Sequence, residues 1–313
     1  MKKIAILYEH PIWHQPLFDA LDKAEIKYIK VDLKNGALEL DNLPEATLYY
    51  NLVSPSAYLR NNLHSISYSY SLCNILEYQG RTVLNGSNSM KMELSKSTQL
   101  ALLRKLNIDF PHSIVFNNLQ AVSKLKLNFP RILKPEQGGS GARMYQINSM
   151  KELTQIFEDI PDLWQPDYLM LLQEKLDYDP DIGIIRLEFV NDKLIYAMRV
   201  VTNGAFNLCP SVACNPEEGN GVCNIDDYRI EPPKFYAFKD VNQSDIDKGK
   251  EIMNEAGHFS GSVEYVVCRD GRTVFYDINS NSNLRESIGL EFGQNPFEFV
   301  VNELGLMLNS SNT

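Results

Sequence analysis

The chain has 313 residues, 44% hydrophobic and 22% charged, which is enough for two or three domains with a sizeable core. Its net charge of −10 argues against broad binding to nucleic acid, which needs clustered Lys and Arg. Cys209, Cys214 and Cys223 lie near one another, but their spacing is not a zinc pattern and no His completes a set; free thiols and a cytoplasmic setting are expected.

The opening apolar run reads as a β-strand over 3–8 and stops at Glu9, too short for a signal peptide. No stretch approaches the roughly 18 apolar residues of a membrane helix, so no membrane partner is expected. Leu17, Leu21 and Ala24 have helical spacing and predict a helix over 14–23. Strands over 26–31, 47–52 and 82–84 and a helix over 65–78 complete a small α/β domain, 1–88, with a largely parallel sheet. The loop after the first strand, Glu9-His10-Pro11-Ile12-Trp13-His14, lacks glycine, which removes the dinucleotide fingerprint.

A helix over 92–106 opens a second unit, 89–169. A strand follows Pro111, and another over 129–134 runs into a glycine-rich loop. A strand over 142–147 comes next, and Ser149 with Glu152 forms a capping box for a further helix. The last unit, 170–313, is richer in strands: 168–175 crosses into it, and 182–190 and 193–202 are joined by an Asn191-Asp192 turn. Residues 215–240 read as irregular, 244–256 as a helix, 260–268 and 273–278 as a hairpin, and 296–308 as a closing helix.

Two segments carry chemistry. Lys134-Pro135-Glu136-Gln137-Gly138-Gly139-Ser140-Gly141 ends a strand in a loop whose backbone N–H groups can approach phosphate oxygens, with Lys134 as a point charge. It is not a Walker loop, and alone it reads more readily as a hairpin turn with a solvated lysine. On the later hairpin, Asp277 and Asn279 are two apart and share a strand face that Glu264 can meet from the neighbouring strand. Three hard oxygen donors suit magnesium; the competing reading is a solvated sheet face. Between these segments an apolar strand ends in Gln173-Glu174.

In this order the motifs resemble the ATP-grasp superfamily, most closely its glutathione-synthetase and RimK-like glutamate-ligase branch, over about Lys96 to Asn283. The resemblance implies an ATP-grasp fold behind a small parallel-sheet domain, and a ligase using ATP and magnesium, with manganese as the alternative metal. By the same likeness, Lys96 and Lys134 hold phosphates under a lid of Gly138, Gly139, Ser140 and Gly141. Gln173, Glu174 and Leu176 face adenine and Asp181 the ribose. Glu264, Asp277 and Asn279 hold the metal, and Arg186, Arg199 and Asn207 lie near the transferred phosphoryl group. Three departures stand out: Asp277 replaces the usual Glu, Ser280-Asn281 replaces a common Pro-Gly, and the spacing after Asp181 is longer.

The expected partners are a small-molecule or peptide carboxylate and an amine acceptor. Ser54, Ser56 and Arg60, after a strand of the first domain, read equally as an anion site for the acid or as a helix cap with a surface arginine. Asn283 is assigned to substrate within the polar run after Asn279; substrate contact by His10 and His14 is left open. A small-molecule kinase and a non-catalytic nucleotide-binding module remain the rival readings, and oligomeric state is undetermined.

Overall fold

The computed structural model describes residues 2–139, 141–202, 234–281 and 284–310. Ser140, Asn207, Asn283 and the Cys209, Cys214 and Cys223 group, for which the sequence raised expectations, lie outside the described residues. The first domain comprises β1 (Ile4–Tyr8), α1 (Pro11–Lys23), β2 (Tyr28–Asp32), β3 (Leu48–Asn51), a 3-10 turn (Pro55–Arg60), α2 (Leu63–Tyr78) and β4 (Val83–Leu84). Its strands lie in the order β2-β1-β3-β4, all parallel, as expected. β1 is buried along its whole length because a parallel sheet is covered on both faces. Helix α1 begins three residues earlier than expected: Pro11 suits a first turn, and the Trp13 N–H donates to His10 Nδ1 at 3.3 Å.

The chain continues through α3 (Ser87–Glu93), α4 (Lys96–Lys105), β5 (Ser113–Phe116), α5 (Leu119–Ser123), β6 (Arg131–Pro135), β7 (Tyr145–Ile147), α6 (Met150–Asp159) and β8 (Met170–Glu174). The single helix expected over 92–106 is two: Ser95 is extended and caps α4, accepting from the Thr98 N–H at 3.1 Å. The second sheet runs β5-β8-β6-β7 and is antiparallel. It takes β8 from beyond residue 169, because that apolar strand pairs on both edges with β5 and β6.

The remainder comprises β9 (Ile184–Val190), β10 (Lys193–Val201), β11 (Lys234–Ala237), α7 (Gln243–Ala256), β12 (Ser260–Val267), β13 (Thr273–Asn279), α8 (Glu286–Glu291) and α9 (Pro296–Ser310). Its antiparallel sheet runs β11-β10-β9-β12-β13. β11 lies within the stretch read from sequence as irregular. One face of this sheet packs on α4 and α7 through Leu187, Val263, Phe275 and Ile252. No described helix is long and apolar enough to cross a membrane.

The first domain is tied to this sheet by an apolar cluster joining Ile6, Phe18 and Tyr50 to Met198 and Leu304. A polar clasp reinforces it. Asn85 is buried at φ +49°, a left-handed conformation that Asn tolerates. Its amide donates to the Ser260 carbonyl at 3.1 Å and the Ser280 carbonyl at 2.7 Å, and accepts from the Phe259 N–H at 2.8 Å. Asn85→Ala strands these buried backbone groups together. We expect it to lower stability by about 2–4 kcal/mol, read as a fall in urea midpoint at unchanged slope.

Candidate functional site

Strand register decides which side chains meet. Asp277 lies opposite Glu264, and Glu264 opposite Arg186, so all three share one face of the last sheet. One pleat step along, Asn279, Ser262 and Glu188 form a parallel row. Gln99 of α4 braces β13 between its two polar residues: its amide donates to the Ile278 carbonyl at 2.8 Å and accepts from the Ile278 N–H at 3.2 Å.

Two lysines from the central unit meet this row. Lys96, at the first position of α4, is buried with its Nζ on the Asp277 carboxylate. Burial disfavours its charge, but Asp277 outweighs that and holds its pKa above the usual lysine value. Lys134, near the end of β6, is also buried; burial first and Lys96 second push its pKa down to about 8. Burial raises Asp277 as well, yet Lys96 and Lys134 overcome it and hold that carboxyl below its usual range.

Glu264 is raised, chiefly by burial, although Arg186 donates to it at 3.1 Å and the Tyr276 hydroxyl at 3.2 Å. Arg186 also donates to Glu188 at 2.7 Å. The structure therefore brings Lys96, Lys134, Arg186, Glu264, Asp277 and Asn279 into one cluster of alternating charge. Among the described residues no three His, Cys, Asp or Glu side chains converge as a metal cage. The row offers two carboxylates and one amide, a donor set that fits an ion taking its other ligands from phosphate and water.

The glycine loop runs over this cluster. A Cβ at Gly138 would lie 3.8 Å from Lys96 Cε, and one at Gly139 would lie 2.8 Å from Ser56 Cβ, so Gly139 closes against the first domain. Gly141 has φ +68°. Glu136, which the sequence reading passed over, holds the loop's root to α4. Its carboxylate accepts from Ser95 Oγ at 2.6 Å and the Ser97 N–H at 3.1 Å. Its place directly after Lys-Pro was the available signal. Glu93, another missed residue, is buried beneath the row with its pKa raised by burial to about 8, and accepts from the Ser280 N–H at 2.9 Å.

The other candidates scatter around the cleft. Gln173 is buried and donates to Ser113 Oγ at 2.9 Å; Glu174 accepts from the His112 N–H at 3.1 Å. Leu176 packs with Ile184, Val200, Val266 and Tyr276, an apolar floor beside Glu264. Asp181 is exposed, and its carbonyl accepts from Arg199 at 3.0 Å. Arg199 pairs in register with Ile185 and Tyr236, one residue out of step with Arg186, and therefore lies on the opposite pleat face, stacked 4.9 Å from the Tyr236 ring. It is not brought to the Glu264 row.

In the first domain Ser54 caps the 3-10 turn, accepting from the Ser56 N–H at 3.2 Å. Arg60 donates to Ser56 Oγ at 3.2 Å, but its main partner is Glu9, at 3.2 Å through Nε and 2.7 Å through Nη2. It lies 4.4 Å over the Trp13 ring. Arg60 is thus neither a free anion receptor nor a surface arginine. His10 caps α1, and His14 is buried with its pKa lowered by that burial to about 4, so it is neutral.

No family profile and no curated protein matches the sequence. Solved structures do match it in fold. The ATP-grasp ligase PsnB complexed with minimal precursor superposes at a TM-score of 0.66 with 17% identity, covering 100% of both chains. The VanG D-Ala:D-Ser ligase from Enterococcus faecalis gives 0.69 with 12% identity, over 98% of this chain and 99% of that one. The D-alanine–D-alanine ligase from Bacillus anthracis complexed with ATP gives 0.66 with 12% identity, over 100% and 99%. The chain has the ATP-grasp fold.

The Glu9–Arg60 pair predicts a pH effect. Burial opposes the Glu9 charge, but Arg60 and Asn62 hold its pKa below the usual carboxylate value. The pair therefore contributes above that value and its contribution is lost as pH falls through the depressed one. Glu9→Gln is expected to cost about 1–3 kcal/mol in urea unfolding at neutral pH, with the gap to the parent closing in strong acid.

Proposed function

We propose that this chain is an ATP-dependent carboxylate–amine ligase, with ATP held between the central and last sheets. The observation that carries this reading is the buried meeting of Lys96 and Lys134 with Asp277 and Glu264 inside an ATP-grasp fold. A PsnB structure described with magnesium and ADP, and the Bacillus anthracis ligase with ATP, support the choice of ligands.

In this reading Lys96 exchanges Asp277 for phosphate oxygens, and Lys134 supplies the second positive charge under the glycine loop. Asp277, Glu264 and Asn279 would hold magnesium, which offsets charge on the phosphates. Leu176 and the apolar floor receive the adenine, with Gln173 and Glu174 at its edge. The acid's carboxylate oxygen attacks the γ-phosphorus, the bond to ADP breaks, and an acyl phosphate forms. The amine nitrogen then attacks the acyl carbon, the carbon–oxygen bond to phosphate breaks, and the amine loses a proton as phosphate leaves. Arg186 is the guanidinium facing this row; Arg199 is not. Closure of Gly139 on Ser56 keeps water from the acyl phosphate.

Two measurements test this. A metabolite or peptide pool incubated with ATP, magnesium and hydroxylamine should yield ADP and a hydroxamate. Asp277→Asn and Asn279→Ala should each lower that yield by about 100-fold or more with the circular-dichroism spectrum intact. AMP as product, or parent-like yield in both variants, contradicts the reading.

Nucleotide binding should also take up a proton. Lys134, free, is largely neutral above its value of about 8, and phosphate favours its charged form. Calorimetry with a non-hydrolysable ATP analogue, in buffers above that pH with different ionisation heats, should show uptake and weakening affinity as pH rises. Lys134→Gln should abolish the uptake.

A further inference from the structure

Asn279 stands in a weak place for a metal ligand. It is the last residue of β13, and among the described strands β13 is the edge of its sheet, paired with β12 alone. Strand ends fray, and an edge strand has a neighbour on one side only. Asn279 pairs in register with Ser262, and the adjoining Gly261 admits its backbone closely: a Cβ there would collide with the Asn279 carbonyl. A side chain that holds a small, geometrically demanding ion must be placed to within about 0.5 Å. The end of β13 therefore needs support from outside its sheet.

Three elements supply that support. Ahead of Asn279, Gln99 of α4 holds Ile278 by both its backbone groups. Behind it, the Ser280 N–H donates to the Glu93 carboxylate of α3 at 2.9 Å, and the Ser280 carbonyl accepts from Asn85 Nδ2 at 2.7 Å. The third tie is made by a side chain: Asn281 Nδ2 donates to the carbonyl of Leu52, the residue after β3 in the first domain. Leu52 is a firm anchor. It is buried, its N–H donates to the Leu7 carbonyl at 2.8 Å, and the buried His14 ring bonds its backbone as well. Ser280-Asn281 is also a place where the sequence departs from the ATP-grasp pattern, so this tie is no part of the likeness behind the ligase reading.

We propose that Asn281 is a positioning residue for the metal: it ties the end of β13 to the first domain and so holds Asn279 in the row with Asp277 and Glu264. This rests on the ligase reading above, which assigns Asn279 to the metal. Asn281 acts through the backbone between it and Asn279. Loss of such an outer support typically costs about 10–100-fold in metal affinity. The tie also makes metal affinity depend on the docked first domain. The run from Leu52 to Ser56 meets Asn281 at one end and Gly139 of the glycine loop at the other.

The test separates the metal from the nucleotide. In the ligase reading Lys96 and Lys134 hold phosphates whether or not metal is present. Calorimetry with a non-hydrolysable ATP analogue is therefore run on the full chain in manganese and again in EDTA. Manganese should tighten binding to the parent by about tenfold or more. Asn281→Ala should lose most of that gain while its affinity in EDTA stays that of the parent. Asn281→Leu, which fills the same space without the donor, should behave in the same way. Glu9→Gln, which weakens the first domain away from this tie, should keep the full gain and so controls for a general loss of stability. A full manganese gain in either Asn281 variant, or equal weakening with and without manganese, overturns the assignment and leaves the ligase reading standing. A parent that binds the analogue no better in manganese than in EDTA overturns the metal row itself, and the Asn281 assignment with it.

Discussion

Buried charge is the constraint around which this molecule is arranged. Lys96, Lys134, Arg186, Glu188 and Glu264 are all largely withdrawn from water, and none is tolerable there without compensation. The fold solves this by bringing cations from the central unit and carboxylates from the last sheet to one place. Lys96 is fixed because Ser95 caps α4 and Glu136 holds Ser95 and Ser97. Asp277 is fixed because Gln99, one turn further along the same helix, grips Ile278 on both its backbone groups. Helix α4 thus carries a charge to the site and braces the strand that bears its counter-charge.

In the proposed ligase that arrangement has a functional consequence. Salt bridges of this kind contribute little net stability, since desolvation offsets much of the attraction. A cluster whose internal pairs are replaceable by phosphate and metal can open for a nucleotide without collapse, because incoming charge takes over each partner in turn. The first domain contributes through position: Asn85 and the apolar cluster under α1 and α9 hold Ser56 where the glycine loop meets it.

Much of this was legible in the sequence, for local reasons. Period-two patterning on β13 put Asp277 and Asn279 on one face, and the ladder set Glu264 opposite Asp277. The parallel first sheet followed from short apolar strands alternating with helices. Long-range pairing was not legible. Nothing local announces that Glu9 will neutralise Arg60, 51 residues away, or that Glu93 will sit beneath Ser280. The pleat that turns Arg199 from the row is a one-residue matter of register, which composition does not fix. β8 was read as part of the last unit because sequence order does not reveal which sheet completes a strand.

In the proposed ligase a nucleotide and its metal lie between Lys134 and the Asp277 row. A crystal structure with a non-hydrolysable ATP analogue and manganese, read from the metal's anomalous signal, tests it most directly. We expect a manganese peak within coordination distance of Asp277, Glu264 and Asn279, with phosphate oxygens on Lys96 and Lys134. A nucleotide bound elsewhere, or phosphates in the cleft with the metal away from that row, would contradict it.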